Sequence, residues 1–240
     1  RGDIYLVDDD NDFSAASVRI APNADLTLRW PLTRQTTTGA VHVIEPVAYL
    51  AWADTYGEDV PNEDSTRSEL DRANLFAPSR FAGDDAVQTG PQAALGVTWT
   101  RLGQGNRVST LTLGRVVSEE KDPLFNAISR LDGPQSDWLL AGQLTAPGGF
   151  LVSARSLWGD DGELNVADGR VAWQNEKVAL SAYYNWQTPD TDESDGVTVS
   201  EWTLDGAFDL TAAWSVELDA RYDVAEGRPV RTGLGIEWRN

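Results

Sequence analysis

The chain contains no cysteine, no methionine and a single histidine, His42. Without cysteine there is neither a disulfide nor a thiolate metal site within it. A lone His42, set in an alternating run as a lumen- or surface-facing strand residue, gives a zinc centre or a Ser-His-Asp triad almost nothing to build on. Cations are scarce too: 19 Lys and Arg stand against 38 Asp and Glu, a formal net charge of −19. Nucleic-acid binding needs clustered cations to neutralise phosphates, so that class of function is excluded. No apolar run approaches the roughly 18 residues of a membrane-spanning helix. The missing initial methionine and missing leader mark a mature or excised piece, which leaves its compartment open.

What is present is alternation. From Val18 the even positions read Val18, Ile20, Pro22, Ala24, Leu26, Leu28, Trp30 and Leu32, against Arg19, Ala21, Asn23, Asp25, Thr27 and Arg29. A period of two held for that long predicts one strand with an apolar and a polar face. Pro22, Pro31 and Pro46 lack an N–H, so bulges or edge breaks are expected there. A short strand is predicted over Ile4 to Val7, and a longer one over Val41 to Ala53. Later segments repeat the pattern: Leu204 and Phe208 face away from Asp205 and Asp209, Val216 and Leu218 from Glu217, Asp219 and Arg221. The whole chain reads as about twelve strands with no convincing helix.

The connections alternate as well. They are long after Ala53, Ser118 and Trp186, medium after Trp158 and Val224, and short after Leu102, Thr145, Trp173 and Leu210. Long on one side and short on the other is the habit of bacterial outer-membrane barrels. Most strands run to about ten residues, enough to cross the hydrocarbon layer at a tilt. Seven of the ten tryptophans (Trp99, Trp158, Trp173, Trp186, Trp202, Trp214, Trp238) are read as strand-end residues, where interfacial girdles sit. The clearest apolar faces carry no charge. The expected fold is therefore all-β: an antiparallel up-and-down transmembrane β-barrel, present as a partial barrel with long outer loops and short periplasmic turns. A soluble sandwich is the competing architecture; it would bury Leu204, Phe208, Val216 and Leu218 between two layers.

One stretch breaks the rhythm. Residues 57–90, from Gly57 to Gly90, hold no strand alternation and many carboxylates, yet Leu70, Leu75, Phe76 and Phe81 are spaced between the charges as anchors. An interval that long inside a compact fold is functional or disordered. One reading is a loop folded over or into a lumen, with Arg80 paired to carboxylates; the other is a solvated acidic excursion.

In this loop the sequence resembles a known family. VPNEDSTRSELDRANLFAPSRFAGDD, preceded by RWPL and HVIEPVAYLAW and followed by GVTWTR and SDWLLAGQLT, is similar to the C-terminal barrel of the LPS-assembly protein family LptD, also called OstA. The matching positions are Pro61, Asn62, Glu63, Asp64, Ser65, Leu70, Asp71, Asn74, Leu75, Phe76, Arg80, Phe81, Gly83 and Asp85. The resemblance implies an outer-membrane barrel that takes lipopolysaccharide from a periplasmic Lpt bridge and releases it into the outer leaflet, with an LptE-like plug lipoprotein inside. It implies no enzyme and no cofactor. Residues 1–240 are then a single barrel segment, the later portion of an LptD-like barrel, with the family's N-terminal jellyroll and final strands outside it.

Moving an anionic amphiphile past so many carboxylates sets a charge problem, because like charges repel. Divalent cations, or lumen-facing Arg19, Arg29, Arg155, Arg170 and Arg221, are expected to offset it. The Asp8 to Asp12 and Asp190 to Asp195 runs suggest calcium, but neither has EF-hand spacing, and charged outer loops explain them better. A general porin stays open as the alternative transport reading. An outer-membrane hydrolase is disfavoured, since no G-x-S-x-G occurs and His42 has no nucleophile motif near it.

Overall fold

A computed structural model describes residues 2–6, 16–58, 60–65, 68–119, 125, 129–188 and 198–239. The Asp8 to Asp12 and Asp190 to Asp195 runs, and Val7 at the end of the first predicted strand, lie outside the described residues. Fifteen strands and no α-helix occur among the described residues. They are β1 (Gly2–Leu6), β2 (Ala16–Ile20), β3 (Asn23–Arg29), β4 (Leu32–Gln35), β5 (Val41–Ala53), β6 (Tyr56–Gly57), β7 (Gly90–Leu102) and β8 (Val108–Ser118). Seven more follow: β9 (Trp138–Ala146), β10 (Phe150–Trp158), β11 (Leu164–Gln174), β12 (Val178–Gln187), β13 (Val199–Asp209), β14 (Trp214–Asp223) and β15 (Arg228–Trp238).

One sheet has twelve strands in the order β15-β14-β13-β12-β11-β10-β9-β8-β7-β5-β3, with β4 also on β5; the other is β1-β2-β6. From β7 to β15 each strand pairs with the next in sequence, an antiparallel meander. The turns 103–107, 147–149, 175–177 and 210–213 fall at one end of this meander, while 54–89, 119–137 and 188–198 fall at the other. All the long connections thus fall at one end, as the barrel reading requires. The two connections expected to be of medium length, 159–163 and 224–227, lie at that same end but are as short as those at the opposite end.

The single strand expected from Val18 to Leu32 is instead β2, β3 and β4. The breaks fall at Pro22 and at Trp30-Pro31, where the ladder loses a donor. Pro46 does not break β5; β3 pairs with Val47 to Ala53, β4 with Val41 to Ile44, and Trp30 N–H donates to the Pro46 carbonyl at 3.1 Å.

The chain divides into two compact units. The first comprises residues 1–30, 46–97 and 114–138. Here Val47, Tyr49, Ala51 and Ala53 of β5, Ala94 of β7 and Val116 of β8 are buried, as are Leu70, Leu75, Phe81 and Ala86 of the long loop. The opposite face of the same strands leaves Leu50, Trp52, Leu95 and Val117 exposed. The second unit comprises residues 31–45, 98–113 and 139–240. Its core is thin (Leu139, Ala141, Leu157 and Val166), and its large apolar side chains point outward: Leu180, Leu204, Phe208, Leu218, Leu234 and Ile236 are 40–69 % exposed. Among the described residues no second sheet covers them, so the sandwich alternative fails. The fold is an all-β antiparallel sheet of barrel-forming type.

The tryptophans at the sheet margins agree with an interfacial girdle for Trp138, Trp158, Trp173, Trp186, Trp214 and Trp238, each first, last or next to last in its strand. Trp99 and Trp202 stand further inside β7 and β13 than the strand-end reading gave them. Arg115 is a charge on the outward stripe of β8, between Leu113 and Val117. It sits near the strand end, 5.1 Å from the Trp138 ring centroid, and donates to the Ser136 carbonyl.

Candidate functional site

Two surfaces combine polar chemistry with a built geometry: the polar face of the last hairpins, and the long loop on its wall. On the former, strand register sets the order. Asp205 of β13 lies opposite Asp219 of β14, and Asp219 opposite Gly233 of β15; Ala207, Glu217 and Gly235 form the next rung. A Cβ at Gly233 would run into the Asp219 carboxylate, so glycine there leaves room for the acid. Ser181 Oγ donates to Asp205 at 3.1 Å, Arg231 Nε lies 3.0 Å from Asp219 Oδ2, and Arg221 Nε donates to Glu201 at 3.0 Å. Arg155 Nε donates to Asp168 at 2.6 Å.

A groove of about 350 Å³ runs over this face, lined by Arg170, Ser181, Asp205, Glu217 and Asp219 among others. A second, of about 450 Å³, is lined by Tyr183, Asn185, Glu201, Arg221 and Arg231. Interleaved acids, guanidiniums and hydroxyls on an open strand face can exchange hydrogen bonds with water, sugars and phosphates.

The loop is a different kind of object, closed on itself by its acids. The Asp64 carboxylate accepts the N–H groups of Asp84 and Asp85 at 3.0 and 2.9 Å and the Ser65 hydroxyl at 2.8 Å. Asp85 reciprocates, accepting the N–H groups of Glu63 and Asp64 at 2.9 and 3.1 Å. The Asp84 and Asp85 N–H groups pull the Asp64 carboxyl down to about 2. Any Cβ at Gly83 would strike that carboxylate, which is why the clip needs glycine beside it. The Asn62 side-chain amide donates to the Ser65 carbonyl at 3.3 Å and accepts the Ser65 N–H at 3.0 Å. Asp71 caps a turn through the N–H groups of Ala73 and Asn74, and Asn74 answers by accepting the Asp71 N–H. Pro61 lies half-buried beside the clip.

Hydrophobic docking follows from three of the four expected anchors. Leu70 and Leu75 are fully buried, and the Phe81 ring stacks on Phe125 with centroids 4.5 Å apart. Phe76 is only half-buried. Leu75 sits over Gly114 of β8, where an added Cβ would come within 2.6 Å of its Cδ2.

Arg80 differs from the expectation. It is 1 % exposed and reaches no carboxylate among the described residues: its acceptors are Gln88 Oε1 at 3.1 Å, Gln92 Oε1, and the Leu75 carbonyl at 3.3 Å. The loop acids are occupied by backbone N–H groups instead, and burial pushes the guanidinium down to about 10. Gln88 and Gln92 are thus buried partners of Arg80 that motif reading passed over.

Of the five candidate basic residues, the sheet brings none together as one cluster. Arg19 is buried under the loop, donating to the carbonyls of Asp84 (3.0 Å) and Asp85 and pairing with Asp3 at 3.4 Å. Arg155 and Arg221 are held by Asp168 and Glu201. Arg29 is exposed at the end of β3, and Arg170 lines the groove of about 350 Å³ on the polar face. His42 Nδ1 accepts the Trp99 indole N–H at 3.2 Å, which gives the lone histidine a structural partner.

No curated protein matches the chain. A family match does exist: the family described as LptD, LPS transport system D, aligns with residues 1–214. Members of that family transport and assemble lipopolysaccharide at the outer membrane, where they work with other components of the Lpt system. By this match over most of its length, and with an all-β meander to go with it, the chain belongs to the LptD family.

Proposed function

We propose that this chain is the later portion of an outer-membrane barrel that inserts lipopolysaccharide into the outer leaflet. The supporting observation is the two-faced sheet: large apolar side chains uncovered on one side, acids, arginines and hydroxyls in register on the other. Hydrocarbon covers the first face, since no protein layer does; a charged residue at mid-bilayer there costs roughly 2–4 kcal/mol. The polar face solvates sugars and phosphates, while acyl chains leave sideways where strand pairing is weak. An LptE-like plug lipoprotein and a periplasmic Lpt bridge are the partners this reading takes from the family. The long loop folds towards the polar side and narrows the passage.

Cation supply follows from the same geometry. With Arg19, Arg155 and Arg221 already engaged by acids or carbonyls, the anionic cargo meets Arg170 and divalent cations held by the carboxylates. The test is depletion and complementation in the native bacterium: lipopolysaccharide should vanish from the cell surface on depletion and return with the full-length protein. If surface lipopolysaccharide stays normal while the reconstituted protein conducts small solutes freely, a general porin or other transport barrel is the better reading.

A further inference from the structure

We propose that residues 68–89 form a strap that docks reversibly on the wall of β5, β7 and β8, and that Arg80 keeps this docking weak enough to release. The strap is tethered at one end, where Asp84 and Asp85 bond to Asp64 and Arg19, and is otherwise closed by its own bonds. Ser68 bridges to Phe81, the Asp71–Asn74 turn closes within it, and Leu75 N–H returns to the Asp71 carbonyl. Its own bonds therefore survive undocking.

What it loses on release is apolar contact, with Leu70 and Leu75 fully buried and Leu75 over Gly114, together with the neutral hydrogen bond from Arg80 to Gln92 of β7. What it gains is the hydration of a guanidinium. Among the described residues Arg80 is buried against neutral amide and carbonyl oxygens only, its Nε has no partner, and the nearby Tyr49 hydroxyl has none either. A buried cation without a counter-charge is poorly repaid for the water it gave up. Asp64, Asp71 and Asp85 could have supplied that charge, yet each is spent on backbone N–H groups. The two opposed terms bring docked and released states closer than an aliphatic side chain at this position would.

The absence of cysteine from these 240 residues gives a clean probe. In the full-length protein in phospholipid, under non-reducing conditions, the rate of maleimide labelling of Ala94→Cys reports opening. Ala94 is fully buried on the same face of β7 as Gln92. Leu139→Cys, fully buried in the other unit, reports general unfolding. Adding Arg80→Met should slow labelling at position 94 by about tenfold and leave position 139 unchanged. Equal or faster labelling at position 94 overturns the proposal. Should Arg80→Met fail to assemble, Gln92→Glu carries the test, since it supplies the missing counter-charge in place: slower labelling supports the strap, equal or faster labelling overturns it.

Discussion

The wall around Tyr49, Ala94 and Val116 and the hairpins around Leu204 and Leu218 are built from the same kind of strand, yet they bury opposite amounts. Both turn large apolar side chains outward: Leu50, Trp52 and Leu95 in one, Leu204, Leu218 and Leu234 in the other. They differ on the second face. β5 carries Val47, Tyr49, Ala51 and Ala53 there and buries them under a loop, whereas β13 and β14 carry Asp205, Glu217, Asp219 and Arg221 and leave them to water. The lesson is that a strand apolar on both faces announces a protein cover on one of them. A strand apolar on one face announces only a non-aqueous neighbour.

Several substitutions test that contrast. The largest effect belongs to the covered wall. Leu75→Ala removes a fully buried side chain from its seat over Gly114 and should cost about 2–5 kcal/mol in urea unfolding of the protein in phospholipid. In the uncovered hairpins, Leu218→Arg should cost roughly 2–4 kcal/mol in a bilayer, while Thr203→Arg on the polar face changes stability far less. Equal costs for the two would erase the distinction between their faces.

Turn chemistry comes next. Gly149 has φ +83°, and a Cβ there would collide with the Gln174 carbonyl, so Gly149→Ala should cost about 1–3 kcal/mol. The Asp64 clip makes a pH prediction. Its folded-state value near 2 lies below the roughly 3.9 of an unfolded carboxyl. Its contribution is therefore complete above about pH 4 and is lost as pH falls towards 2. Amide exchange at Asp84 and Asp85, corrected for intrinsic rates, should rise across that window and stay flat from about pH 5 to 8. Asp64→Asn should raise it at every pH. The smallest effect is expected at the exposed Arg221–Glu201 pair, where Arg221→Gln should shift stability by about 0–1 kcal/mol.

Much of this was legible in the residues. Alternation located most strands to within a residue or two, because a half-solvated sheet leaves a period-two record. The split of Val18 to Leu32 was written in Pro22 and Pro31, though which neighbour each fragment would pair with was not. The loop's acids were visible, but their use was not: carboxylates facing N–H groups rather than Arg80 is a matter of local backbone geometry that spacing cannot encode. The signal for the docked loop was available in β5, whose Val47, Tyr49, Ala51 and Ala53 repeat the apolar pattern out of phase with Ala48, Leu50 and Trp52. Gln88 and Gln92 gave no signal at all, since glutamine is equally at home in water.

Nitroxide labels at Leu204→Cys and Leu218→Cys, set against Asp205→Cys and Thr203→Cys in the full-length protein in its native membrane, put the decisive question. Collision with oxygen should dominate at positions 204 and 218, and collision with a water-soluble nickel complex at 203 and 205. Nickel-dominated relaxation at all four positions would mean that water, not hydrocarbon, meets the apolar face.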